Sequence, residues 1–180
     1  MRILIVGAGP TGLTAGVELA RRGIVADIID RKEKASTLSR AVGILPRSLD
    51  ILGPSGVSER VLREGVELEK ISLYRGKSEA LSFSLKGAHP KSDFVLALAQ
   101  DRTEDALHDA FVGLGGHVKY ATELKSLTQN KNRVVVTTSG GTETEYDYVI
   151  GADGIQSVTR ESLGIDFVGY DLPETWSIAD

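Results

Sequence analysis

The glycines of GAGPTG (Gly7, Gly9 and Gly12) stand between a run of β-branched residues and a helical repeat, and no other segment constrains the fold as much. Residues 3–6 form a short apolar run that reads as a buried strand. Over residues 10–22, Leu13, Val17 and Ala20 recur at helical spacing, and Gly23 is a stop signal. Glycine at a strand-to-helix turn lets the backbone bend sharply and approach a pyrophosphate. The helix start then offers free N–H groups and the positive end of its dipole. A second strand over residues 25–29 ends at Asp30, whose carboxylate suits the hydroxyls of an adenosine ribose. The glycine spacing alone occurs in many turns. With a strand before it, a helix after it and an acid closing the next strand, it predicts an adenine-dinucleotide site. The competing reading is a glycine-rich turn with no ligand.

Composition agrees with an ordinary globular chain. The 180 residues favour one domain, or one domain plus part of another. A net charge of −4 with scattered basic residues gives no nucleic-acid footprint. The absence of cysteine excludes disulfides, thiolate metal ligands and a cysteine nucleophile. His89, His108 and His117 are isolated and give no metal-ligand spacing. The first apolar run is too short for a signal peptide or a membrane span, so a cytoplasmic location is the expectation.

Further along, Pro46 opens a predicted helix that carries Leu49 and Leu52 to Gly53-Pro54, and a second short helix covers residues 58–64. Residues 66–85 alternate imperfectly and predict a β-hairpin or edge strands, followed by a loop at GAHPKSD. Residues 94–98 read as a strand. Residues 103–114 read as an amphipathic helix, with Ala106, Leu107, Ala110 and Phe111 inward. Strands over 118–120, 123–129, 133–138 and 142–146 predict an antiparallel meander. The chain then returns through a buried strand at 148–150 into GADG and a helix over 156–163. The fold class is α/β: a Rossmann-like parallel sheet with an antiparallel meander crossover and a β-rich insertion.

GADG is the second informative segment, because ligands collect where parallel strands end. Small residues there admit a ligand against the backbone, and the Asp153 carboxylate can accept from sugar or ribityl hydroxyls. Ser157 and Arg160 can approach phosphate or tie the turn down. Asp153 reads equally as a helix N-cap or turn residue, as Asp-Gly pairs often are.

GAGPTGLTAGVELARRG, Arg40 in SRAVGILPRSLDIL, Gln100 in ALAQDRTEDAL and DYVIGADGIQSVTRESLGI together resemble, in that order, the N-terminal part of the group A flavoprotein monooxygenases, relatives of para-hydroxybenzoate hydroxylase. The resemblance covers residues 1 to about 170. It implies a fold of the FAD/NAD(P)-binding, glutathione-reductase type, FAD bound in an extended form, NAD(P)H as a transient co-substrate, O2, and a small aromatic substrate. By motif position, Gly7, Gly9, Pro10, Thr11 and Gly12 would hold the pyrophosphate, and Asp30 and Arg31 the adenosine end. Arg40 and Gln100 would reach the middle of the cofactor, with Leu124, Asp153 and Gly154 completing the site. The family has Glu where this chain has Asp30. Without the resemblance, Arg40 is an ordinary surface cation and Gln100 a neighbour of a helix cap.

No side chain is assigned a catalytic role, because the flavin carries the difficult chemistry. The family's later Gly-Asp-Ala-Ala-His motif does not occur, so residues 1–164 are expected to be the FAD-binding domain, with an insertion at 70–95 belonging to the substrate side. Residues 165–180 are expected to begin a truncated substrate domain whose apolar side chains, Phe167, Val168, Tyr170, Trp176 and Ile178, invite self-association. Two other functions are weighed: a non-catalytic nucleotide-binding module, from the lack of the family's later segments, and an NAD(P)-dependent dehydrogenase, from the opening motif with Arg31 beside Asp30 to meet a 2′-phosphate.

Overall fold

The computed structural model describes residues 1–35, 43–87, 93–171, 173 and 175. The chain opens with β1 (Ile3–Val6), α1 (Pro10–Ala20) and β2 (Asp27–Ile29). After β3 (Gly43–Ile44) come α2 (Pro46–Leu52), a 3-10 turn at Gly53–Ser55, and α3 (Val57–Glu64). The inserted strands are β4 (Val66–Leu68), β5 (Lys70–Arg75), β6 (Ser78–Ser84) and β7 (Val95–Ala97). The rest is α4 (Gln100–Gly113), β8 (Val118–Lys119), β9 (Leu124–Gln129), β10 (Val134–Thr138), β11 (Glu143–Tyr146), β12 (Tyr148–Gly151) and α5 (Val158–Ser162).

A parallel sheet of order β12-β1-β2-β8 is the frame, with Ile5 in register with Ile28 on one side and Ile150 on the other. Alternation of side chains along a strand divides the core between its two faces. Ile3, Ile5 and Ile28 pack with Leu13 and Val17 of α1 and Leu107 and Phe111 of α4. Leu4, Val6 and Ile29 pack instead with Leu124, Leu127, Val136 and Tyr146 of the meander. Helices cover one face and the meander the other. Gly16 brings α1 close to the sheet, since a Cβ there would meet Ile28 Cδ1 at 2.7 Å. Burying a side chain the size of Phe111, which is fully covered, contributes about 1.5–3 kcal/mol.

The meander is three-stranded, β11-β10-β9, not the four expected. Residues 118–119 pair in parallel with β2 instead, and Asp30 N–H donates to the Lys119 carbonyl at 3.0 Å. Burying Val118 among the helices requires that sheet position, and Ala121, at φ 49°, turns the chain toward β9. The returning strand β12 is also less buried than expected. It has β1 on one side and, among the described residues, no strand on the other, which leaves Tyr148 exposed and Val149 and Ile150 half-buried.

The β-rich insertion is a small antiparallel sheet, β3-β7-β4, and a separate hairpin, β5-β6. Ile71 pairs with Phe83 and Leu73 with Leu81, and all four side chains are exposed. After α5, residues 165–171 form no helix or strand, and Phe167, Val168 and Tyr170 lie largely in solvent. Arg160 stacks over the Phe167 ring at 5.0 Å. Trp176, Ile178 and His89 lie outside the described residues.

Candidate functional site

The site forms where β1, β2 and β12 end. Gly7 takes φ 104°, a conformation favourable only for glycine, and its N–H donates to the Ile29 carbonyl at 2.8 Å. A Cβ on Gly7 would lie 2.3 Å from the Ala152 carbonyl oxygen, so this glycine lets the GADG loop pack against the first turn. Gly12 has a different task. Its Cβ would fall 1.9 Å from the Gly7 carbonyl oxygen, and the residue is buried beneath the turn.

Gly9 faces open space, with nothing within 4 Å of a Cβ placed there. It precedes Pro10, the first residue of α1, and this helix has neither a side-chain cap nor an acid in its first turn. First-turn N–H groups without an intrahelical acceptor, at the positive end of the helix dipole, therefore face the cleft beside Gly9.

That cleft encloses about 350 Å³ and collects most of the residues expected from the sequence. Gly7, Gly9, Pro10 and Thr11 form one wall, and Asp30 and Arg31 the end beside β2. Gln100 and Leu124 contribute from α4 and β9, and Asp153 and Gly154 from the loop after β12. Asp30 and Asp153 thus share one cavity. Gly12 lies just behind the lining, packed closely under Gly7, where it supports the turn. Arg40 lies outside the described residues.

Both carboxylates are held by the fold. Asp30, nearly buried, accepts from the Ala8 N–H through Oδ2 and from the Lys32 N–H through Oδ1, each at 2.8 Å. The short aspartate side chain is thereby drawn back onto the glycine turn. Asp153 accepts from Ser157 Oγ at 2.6 Å and from the Thr159 N–H at 3.0 Å, so the helix-capping reading of this residue describes a real contact. A carboxylate has about four acceptor positions, which leaves each able to take a ligand hydroxyl as well. Arg160 ties the turn down by donating to the Ile155 carbonyl at 2.8 Å, and Arg31 reaches across to Gln156 Oε1 at 3.5 Å.

Several lining residues escaped the sequence reading: Lys32, Glu104, Thr122, Glu123 and Gln156. Glu104 is buried, and its Oε1 accepts from Gln100 Nε2 at 2.7 Å. A signal for it existed, since it precedes the inward residues Leu107 and Phe111 at helical spacing. Tyr120, partly buried beside these acids, has its pKa raised by burial and by the charges of Asp30, Glu104 and Asp105.

A parallel sheet that presents a glycine turn, an uncapped helix start and two acids to one cleft defines a nucleotide-binding α/β domain. An open backbone at Gly9, an uncapped helix start and two acids with acceptor positions to spare are chemically compatible with a nucleoside diphosphate. The family model described as the FAD binding domain matches residues 1–179, and the chain belongs to that family.

The chain is 33% identical over 187 residues to 6-methylpretetramide 4-monooxygenase of Streptomyces rimosus, covering 99% of this chain and 33% of that protein. It is 35% identical over 181 residues to pentachlorophenol 4-monooxygenase of Sphingobium chlorophenolicum, covering 96% and 33% respectively. Among solved structures, the anhydrotetracycline hydroxylase OxyS from Streptomyces rimosus superposes with a TM-score of 0.84 at 29% identity, over 95% of this chain and 35% of that one. A flavin-dependent monooxygenase, PieE, solved with FAD and substrate, gives 0.82 at 26% identity, over 94% and 33%. The chain spans about a third of the length of the curated relatives it matches. Among the described residues, no helix is long and apolar enough to cross a membrane.

Proposed function

We propose that this chain is the FAD-binding portion of a flavin-dependent monooxygenase that hydroxylates small aromatic substrates with NAD(P)H and O2. The observation carrying this reading is the single cleft in which the Gly9 opening, Asp30, Gln100 and Asp153 all meet. The relatives' names supply the reaction class: one is a pentachlorophenol 4-monooxygenase and another an anhydrotetracycline hydroxylase. Residues 1–164 would be the cofactor unit, residues 70–95 an insertion on the substrate side, and residues 165–180 the start of a second unit.

When bound, the flavin would supply the redox chemistry, taking electrons from NAD(P)H and passing them to O2. The chain's own residues bind and orient it. First-turn amides beside Gly9 would receive the phosphates, while Asp30, pinned by the Ala8 N–H, would present a fixed acceptor to the adenosine ribose. Arg31 and Gln156 would flank that end of the cleft from two different loops. Asp153, held by Ser157 and Thr159, would accept from the sugar-alcohol portion.

The test is a titration of the purified chain with FAD, followed by flavin fluorescence, with NADP in parallel. Saturable FAD uptake supports the reading. NADP binding without FAD uptake would replace it with a dehydrogenase. For the hydroxylase reaction, the complete protein should oxidise NAD(P)H faster when a phenolic substrate is added. FAD uptake without that stimulation would leave a nucleotide-binding module only.

A further inference from the structure

Glu104 is a carboxylate with 3% of its surface exposed, on the inner face of α4 and in the wall of the cofactor cleft. Packing alone does not call for it. Its neighbours on that face are Leu107 and Phe111, beside which an unbranched apolar side chain would fit without the cost of removing a charge from water. What the carboxylate does is accept from Gln100 Nε2 at 2.7 Å, one helical turn away.

A primary amide carries donors on one side and an acceptor on the other, and an ionised carboxylate can only accept. The contact therefore fixes which way the Gln100 amide faces. With its NH2 group turned to Glu104, the carbonyl oxygen is the end left for the cleft.

We propose that Glu104 is a positioning residue for the cofactor: it orients Gln100 so that the side-chain carbonyl accepts a hydrogen bond from a hydroxyl of FAD. This rests on the FAD-binding reading above and deepens it. Without Glu104 the amide is free to turn over, and an NH2 group then competes for the place of the acceptor.

The variants are Glu104→Met, Glu104→Gln, Gln100→Leu and the Gln100→Leu/Glu104→Met pair. In the ligand-free protein, the Gln100 side-chain amide signals, assigned by their loss in Gln100→Leu, should be displaced from the positions of exposed glutamines. Glu104→Met should collapse them to those positions, and Glu104→Gln, which can hydrogen-bond the amide in either orientation, should not. FAD affinity should fall about tenfold in Glu104→Met, the scale of one buried hydrogen bond, and about twofold in Glu104→Gln, which leaves both amide orientations open and so keeps about half of them productive. In the Gln100→Leu background, Glu104→Met should add no further loss.

A wild-type Gln100 amide signal at the exposed position overturns the proposal, and this decides it even should Glu104→Met not fold. So does an equal loss in Glu104→Gln and Glu104→Met, or a full loss from Glu104→Met when Gln100 is already Leu. Undiminished FAD binding in Glu104→Met refutes the positioning role alone. Failure of the wild-type chain to take up FAD removes the functional reading and this proposal with it.

Discussion

Gly9→Ala should separate cofactor binding from folding, because this glycine owes nothing to backbone strain. Gly9 has φ −79° and ψ −177°, a conformation open to any residue, and its Cβ would meet nothing within 4 Å. Restricting the unfolded chain by one Gly→Ala change at a compatible site stabilises by about 0.4–1 kcal/mol. That corresponds to a rise in Tm of about 1–4 °C for a domain of this size. The added methyl stands where phosphate oxygens would meet the first-turn amides. Losing one hydrogen bond to a charged group costs about 1.5–3 kcal/mol, so FAD affinity should fall by about 10- to 150-fold.

Gly12→Ala is the contrasting perturbation. Its Cβ would lie 1.9 Å from the backbone carbonyl oxygen of Gly7, which no side-chain rotation can relieve. A destabilisation of about 1–3 kcal/mol or more is expected, from overpacking against a fixed turn. Differential scanning calorimetry measures the stabilities, and fluorescence titration with FAD measures the affinities. The reasoning is refuted if Gly9→Ala lowers Tm as much as Gly12→Ala, or if Gly9→Ala binds FAD as tightly as the wild type.

Phe111→Ala should cost about 3–5 kcal/mol in urea unfolding, since the ring is fully buried between α1 and the sheet. Tyr146, whose hydroxyl donates to Asp27 at 3.1 Å, has a pKa pushed up to about 12 by burial and by the Asp27 charge. The folded state then holds a proton that the unfolded state loses near pH 10, so stability from this group is full below about pH 10 and declines between about pH 10 and 12. Tyr146→Phe should flatten that alkaline decline in denaturation curves recorded across the range; an unchanged profile would exclude Tyr146 as its source. Replacing Phe167, Val168 and Tyr170 by Ser should leave the unfolding midpoint nearly unchanged, because these side chains are mostly in solvent. The same change should reduce any concentration-dependent light scattering of the wild-type chain. Scattering that persists in the triple variant would place self-association elsewhere.

The first βαβ unit was legible because each of its parts carries a local signal. An apolar run, glycines, Pro10 at the helix start and an acid after the next strand all act through residues close in sequence. Apolar spacing predicts helix α4 but starts it at residue 103, three residues later than the observed start at Gln100. The first turn, Gln100 to Arg102, is polar, with Gln100 in the cleft wall and Arg102 paired with Glu64, so it adds nothing to the apolar repeat. Strand β8 failed for a related reason: two residues cannot declare a partner, and their membership of the parallel sheet depends on β2 lying alongside.

Local signals carry the parallel architecture, the glycine turn and the two acids, since backbone conformation and strand-helix alternation are local properties. Packing between elements separates the two glycines: a Cβ at Gly12 would strike the Gly7 carbonyl, whereas one at Gly9 would meet open space. The tertiary structure also decided that Asp30 and Asp153, far apart along the chain, share one cavity, and that Glu104 turns its charge inward onto Gln100. Those are facts of close approach between separate elements, set by how the strands and helices pack, and no local pattern carries them.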